Sequence, residues 1–463
     1  MATAAAIAAP LTEPPRGRQF LGHPFGLGVL TLSELWERFS YTGMQTLLVL
    51  YATHYLFQPA HVGAIWGIGP FRAVMEGMYG PLSPAALASA VFGLYAGLVY
   101  LTPILGGLLA DRLIGKTRAI TLGALLLTAG HFLMGYEQTF LIALLALVLG
   151  VGAFKTNITG QVGDLYAPND LRRARGFQIF VMGISTAAML APLVCGTLGE
   201  KVGWAWGFGV AGVGMVVGLA TYLAGRRWLP PEPAPIHKGG IVEPRPPLLP
   251  GEGRRIVVLV ALLPVLALAS VGNEQMFNAY LLWGEANYRL VFFGRTMPVT
   301  WLISITSVFA ILGVAGTIAF WRWWATRWRE PDEMTKLLIG TLICMLAPLI
   351  LAAASLYAAG GHKISLGWAV IFHLVNEVGF ASVYPVGMAL YSRCAPRAIG
   401  STMVALYYLH LFASNMLVGR LGGLLETMSP ANFWLMHAGL IAIAAAILLV
   451  FRKLGGRLLA PIV

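Results

Sequence analysis

Long apolar runs set the first limit on this chain. Stretches of about 20 residues or more, the length that crosses a hydrocarbon core, recur from end to end, and twelve are counted. Barrel strands would show as short alternating segments, so the runs are read as helices, which satisfy their own backbone hydrogen bonds in lipid. At 463 residues, 58% hydrophobic and 11% charged, the chain is too apolar for a soluble domain of this size. The fold class expected is therefore an all-α membrane protein with twelve transmembrane helices.

The spans fall near 26–56, 86–111, 118–136, 139–166, 175–199 and 204–225, then near 256–287, 298–322, 335–359, 364–392, 399–425 and 431–451. This divides the chain into a tail (1–25), a six-helix unit (26–225), a polar Pro-rich linker (226–255), a second six-helix unit (256–452) and a tail (453–463). The segment from Gln58 to Pro84 is either a cap over one face or a plain loop. Met1 to Gly22 has no apolar core with a cleavage site and reads as a short tail, not a signal.

A net charge of +12 raises the question of nucleic acid, and the distribution of charge answers it. Of the 31 Lys and Arg, 23 fall in alternate loops and tails on one side, six on the other side and two, Arg38 and Lys155, inside spans. Such asymmetry places both termini in the cytoplasm, in a membrane of the bacterial inner type, and no nucleic-acid partner is expected. Cys195, Cys344 and Cys394 have no metal-like spacing, so neither a disulfide nor a metal is expected. Phosphate loops, nucleophile elbows and metal-ligand clusters are absent from the sequence, which argues against an enzyme and against a cofactor.

The first span contains Glu34, Glu37 and Arg38. From Glu34, the helical offsets of Glu37, Arg38, Tyr41 and Gln45 put all five on one stripe. A charge facing hydrocarbon costs about 3 kcal/mol or more, so the stripe is expected to face a watery cavity or a partner charge. Lys155, the only lysine inside a span, needs a counter-charge, for which Glu34, Glu37 or a substrate carboxylate are the candidates.

Gly107 to Lys116, with Asp111 and Arg112, resembles the Gly-x-x-x-Asp-Arg-x-x-Gly loop of the major facilitator superfamily. Glu34 to Tyr41 resembles the E-x-x-E-R-F-x-Y signature of its proton-dependent oligopeptide transporters. Phe154-Lys155-Thr156-Asn157 through Leu165-Tyr166 is similar to that family's F-K-P-N-x-S-x-x-x-G-x-L-Y, and Tyr384-Pro385-Val386-Gly387-Met388 with Ala395-Pro396 to its S-P-V-G-L and L-A-P elements. The resemblance implies two six-helix bundles with substrate held between them, and proton-driven import of di- and tripeptides by alternating access. It implies a proton-linked group of Glu34, Glu37, Arg38, Lys155 and Glu274, with Arg38 and Lys155 receiving a carboxylate. Tyr41 and Tyr100 match cavity tyrosines, Tyr407 falls where the family has tryptophan, and Gly107, Asp111 and Arg112 form the conformational loop.

Departures cluster where the family binds peptide. Gln45 replaces a second cavity arginine, Ser185 and Thr306 replace asparagines, Asn273 replaces the first of two glutamates, and Phe380 stands where a glutamate meets the peptide ammonium. Losing such a charge-assisted contact costs roughly 1.5–3 kcal/mol. Glu377, about one turn from Phe380 and next to Asn376, is the candidate replacement. Either His373 and Glu377, at i and i+4, form a proton-responsive pair or His373 is a plain hydrogen-bonded helix histidine, and His410 carries the same ambiguity.

The expectation is a monomeric proton symporter for short peptides or peptide-like acids, its partners being a small substrate, protons and the bilayer. Two alternatives stand beside it. One is a non-peptide cargo (an organic acid, siderophore-like compound or drug), carried in or out. The other is a non-transporting receptor or assembly factor on the same scaffold.

Overall fold

The computed structural model describes residues 18–167, 170–232, 251–396 and 400–455. Most of the two tails and the centre of the expected linker lie outside the described residues. The first half runs through α1 (Phe25–Tyr51), α2 (Ile68–Tyr79), α3 (Pro84–Leu109), α4 (Lys116–Leu133), α5 (Phe140–Asp164), α6 (Arg172–Ala191), α7 (Thr197–Lys201) and α8 (Trp204–Gly225). The second runs through α9 (Glu252–Glu274), α10 (Ala279–Asn287), α11 (Trp301–Ala325), α12 (Glu333–Ala358), α13 (Gly367–Cys394), α14 (Gly400–Tyr407), α15 (Leu409–Gly422) and α16 (Pro430–Gly455). Among the described residues, ten segments are long and apolar enough to cross a membrane on composition alone. The two remaining long helices are more polar: α1 bears the charged stripe, and α4 bears Lys116, Arg118 and His131.

The fold is all-α, with twelve membrane helices in two bundles of six, as expected. Within the first bundle α1 packs on α6 and α8, and α5 on α3 and α4; within the second, α12 packs on α13 and α16, and α9 on α15 and α16. Two crossings join the bundles, α3 on α15 and α6 on α11.

Both crossings are tightest at the face opposite the termini. A Cβ on Gly93 would lie 2.5 Å from the Asn415 carbonyl oxygen and 2.5 Å from the Gly419 Cα, so only glycine permits this approach of α3 and α15. At the other crossing the Glu200 carboxylate accepts from the Val299 and Thr300 amides (2.9 and 3.1 Å) and the Thr300 hydroxyl (2.7 Å). Ser304 Oγ donates to the Met189 carbonyl (2.8 Å), and Trp301 Nε1 to Thr197 Oγ1 (2.9 Å). His54 and Glu285 meet across the same face at 2.7 Å. The bundles are thus closed against each other on that side.

Several sequence expectations need correcting in detail. The seventh span is not one helix. It breaks at Gln275–Phe277, with Asn278 off helical geometry (φ −122°, ψ −107°), because the polar run Asn273 to Gln275 finds side-chain partners across the bundle. The eleventh span is interrupted at Tyr408. The segment after α1 contains a short helix, α2, where Arg72 donates to Glu76 (2.8 Å) and to the Leu82 carbonyl (2.6 Å). Gly107, Asp111 and Arg112 lie where α3 ends in a π-turn, Ala110–Ile114; Asp111 and Arg112 are exposed, and Gly107 abuts Thr156.

Replacing Gly93 with Val pushes a branched side chain into backbone atoms. The expected result is a lower thermal midpoint and increased labelling, from the face opposite the termini, of a cysteine placed at Ser304. An unchanged midpoint with unchanged labelling would show that the crossing tolerates separation.

Candidate functional site

Arg38 is the centre of the first wall. Its guanidinium clasps Glu37 through two bonds, Nη2 to Oε1 at 2.6 Å and Nε to Oε2, and its Nε lies 3.4 Å from Glu34 Oε1. All three are buried, and Glu34 Oε2 has no hydrogen-bond partner among the described residues. Helical spacing explains the cluster: Arg38 follows Glu34 by four residues, one turn along the same face. Tyr41, one turn further, places its ring 4.7 Å from the guanidinium carbon and stacks on Tyr95 (6.4 Å). Gln45 closes the stripe and is buried, without a side-chain hydrogen bond among the described residues.

Of the three candidate counter-charges for Lys155, the two glutamates are taken by Arg38, and neither forms an ion pair with the lysine. Its ammonium lies 5.5 Å from the Tyr100 ring centroid instead, with no ion pair among the described residues. A cation left against an aromatic face keeps its affinity for an incoming carboxylate.

The second wall comes from α9, α11 and α13. Asn273, Met276, Phe277, Thr306, Glu377 and Phe380 help line a cavity of about 260 Å³. Both Glu377 and Phe380 therefore border it, Phe380 stacking on Tyr384 (5.5 Å, 16°). Glu377 Oε1 accepts from Asn376 Nδ2 (3.1 Å) and Asn273 Nδ2 (3.4 Å). Glu274 ends α9 at the helix break, where Asn415 Nδ2 donates to its Oε2 at 2.8 Å. A neutral amide is thus the partner of Glu274. Lys155 and Tyr41 are near enough to Glu274 to interact electrostatically, which brings the two walls to face each other.

Of the two readings of His373 and His410, the structure shows hydrogen-bonded helix histidines. His373 does not pair with Glu377: its Nε2 is hydrogen-bonded to the Tyr280 hydroxyl (2.9 Å) and its Nδ1 to Thr306 Oγ1 (2.8 Å), both buried. The i, i+4 spacing set a shared face, but neighbours from α10 and α11 claimed both ring nitrogens. Tyr407 is fully buried, its hydroxyl donating to the Tyr384 carbonyl (2.7 Å), so it packs behind the cavity. His410 is likewise enclosed, with Nδ1 on the Tyr407 carbonyl. Ser185 is half-buried on α6 with no side-chain bond among the described residues. Asn415, Tyr95 and Tyr280 were missed, since each acts through a partner on another helix and carries no spacing signal of its own.

His373→Leu would remove the bonds of the ring to the Tyr280 and Thr306 hydroxyls, Thr306 keeping its bond to the Leu302 carbonyl, a loss of about 1–3 kcal/mol for a buried hydroxyl left unpaired. A thermal midpoint lowered by several degrees is expected; a wild-type midpoint would show the histidine's bonds contribute nothing to the fold.

Comparison with known proteins places these features. The sequence model of the POT family matches residues 117–238. The chain is 28% identical to the peptide transporter YePEPT of Yersinia enterocolitica, covering 95% of this chain and 96% of that one. It is 29% identical to a di-/tripeptide transporter of Lactococcus lactis, covering 94% and 96%. Among solved structures, a mutant of the peptide transporter POT in complex with alafosfalin superposes with a TM-score of 0.79 at 28% identity, covering 95% and 97%. A POT family transporter in complex with 5-aminolevulinic acid shares the fold (TM-score 0.78, 22% identity, covering 94% and 97%). These relatives are transporters, and this integral membrane protein is not an enzyme. Fold, charged stripe and a likeness along nearly the whole length together make the chain similar to transporters of the POT family.

Proposed function

We propose that this protein imports short peptides or peptide-like small organic acids together with protons, by alternating access. It works as a monomer in a bacterial-type inner membrane with both termini in the cytoplasm. One observation carries the reading: an ammonium without an ion pair, Lys155, on one wall, near Glu274 on the opposite wall, with Glu377 in the adjoining cavity. A zwitterion fits such a site, its carboxylate at Lys155 and its ammonium toward Glu377 or Glu274. The names of the relatives, peptide and di-/tripeptide transporters, agree with this cargo.

Proton coupling is a matter of charge balance. Glu34 and Glu37 share one guanidinium, and Glu34 keeps a buried oxygen without a partner. A single arginine balances a single carboxylate, so the second needs Lys155 or a proton. When a substrate carboxylate engages Lys155, a proton on the glutamate pair keeps the cluster neutral. Closure at the face opposite the termini fits a state open toward the cytoplasm, and the charge distribution of the loops supports that orientation.

The neutral replacements at Gln45 and Phe380 favour a second reading, in which the cargo is an organic acid without a free amine. Glu377 argues for the first, since it restores a carboxylate close to Phe380.

Uptake into proteoliposomes under an imposed inward proton gradient tests both coupling and the role of Lys155. Accumulation is expected to collapse with a protonophore and to fall at least about tenfold in Lys155→Ala, the loss of one charge-assisted contact. Uptake insensitive to the protonophore would refute coupling; wild-type uptake in the variant would remove Lys155 from the mechanism.

A further inference from the structure

The C-terminal end of α11 continues into an unusual surface. Residues 320–329 read Phe-Trp-Arg-Trp-Trp-Ala-Thr-Arg-Trp-Arg, with four tryptophans and three arginines. Trp323 is 47% exposed and Trp328 52% exposed, an arrangement that burial does not explain. The rings hold one another: Trp324 and Trp328 lie 4.6 Å apart, Trp323 and Trp328 5.8 Å, and Phe320 and Trp324 5.9 Å. Trp324 Nε1 donates to the Arg329 carbonyl at 3.3 Å, which ties the chain into a turn beyond the helix.

Charge accounting shows what this surface lacks. The three carboxylates that follow are already engaged. Glu330 pairs with Lys336, Glu333 pairs with Arg393 at 2.9 Å, and Asp332 Oδ1 caps α12 by accepting from the Thr335 amide at 2.8 Å. Arg322, Arg327 and Arg329 are exposed and have no carboxylate partner among the described residues. Arg327 lies over the Trp323 ring (4.7 Å), which orients its guanidinium but leaves its charge uncompensated.

Location selects the partner. The surface lies at the end of a membrane-crossing helix, at the depth where the bilayer changes from acyl chains to headgroups. The apolar stretch of α11 is the least buried inside the protein of the ten candidate spans, at 28%, so this helix has a flank available to lipid. Tryptophan prefers the interfacial layer, and guanidinium groups bind phosphate through paired N–H donors. We propose that this Trp/Arg collar is a docking site for the phosphate headgroups of anionic phospholipids, with the tryptophans inserted beside the upper acyl chains and Arg322, Arg327 and Arg329 on the phosphates. Neutral zwitterionic lipids bring their own cation and compensate the arginines less well, so the site discriminates by net headgroup charge.

The test uses the full chain purified in a neutral detergent, with thermal midpoints measured on adding phosphatidylglycerol, phosphatidylcholine or inorganic phosphate. Phosphatidylglycerol is expected to raise the wild-type midpoint at least about 3 °C beyond phosphatidylcholine, as ligand linkage requires. The triple variant Arg322→Gln, Arg327→Gln, Arg329→Gln should lose at least half of that difference while keeping its midpoint in phosphatidylcholine. A charge-conserving triple replacement by Lys should retain most of it, and carries the test if the neutral variant folds poorly. Equal midpoints in the two lipids, or an undiminished difference in the Gln variant, would overturn the proposal. Inorganic phosphate matching phosphatidylglycerol would show a free-anion site and overturn the lipid assignment.

Discussion

A guanidinium inside a membrane protein has to be neutralised where it stands, and that requirement organises the first bundle. Arg38 meets it by clasping Glu37 and leaning on Glu34, both on its own helix. An ion pair between neighbours on one helix leaves the facing helices free to move without breaking it. It also leaves the cluster one negative charge in excess, next to a lysine with no ion pair of its own among the described residues. In the mechanism proposed above, lysine, substrate carboxylate and proton are alternatives for one electrostatic balance, and that would link cargo to proton movement.

The second bundle handles polarity differently. Its buried carboxylates are partnered by amides: Glu274 by Asn415, and Glu377 by Asn376 and Asn273. Amide donors satisfy a carboxylate without cancelling its charge, so this wall stays attractive to a cation. Gln45, at the end of the α1 stripe, adds no charge to the first wall. Closure at the face opposite the termini depends instead on contacts distant from the cavity. These are the glycine crossing of α3 and α15, the Glu200 cap on the start of α11, and the meeting of His54 with Glu285. Separating closure from charge recognition lets the two be altered independently.

Most of the architecture was legible in the sequence because spans are long and mostly apolar, and because offsets of 3, 4, 7 and 11 from Glu34 define a face without outside information. Partners across helices were not legible. Glu34, Glu37 and a substrate carboxylate were all candidate partners of Lys155, and its ammonium lies against Tyr100. Spacing left His373 either paired with Glu377 or a plain hydrogen-bonded histidine, and Tyr280 and Thr306 hold its ring. Spacing fixes which residues share a face, but not which neighbour that face meets. The break at Gln275–Phe277 did leave a trace, as polar residues from Asn273 to Gln275 inside an apolar run; what turned it into a discontinuity was Asn415 on α15 and His437 on α16.

The central claim is that a substrate carboxylate is held by the Lys155 wall. Binding of a dipeptide to the purified protein, compared with the same dipeptide carrying a C-terminal amide, tests it without any dependence on gradients or direction. A carboxylate anchor predicts that amidation weakens binding at least about tenfold, the loss of one charge-assisted hydrogen bond. Equal affinity for the two would contradict it.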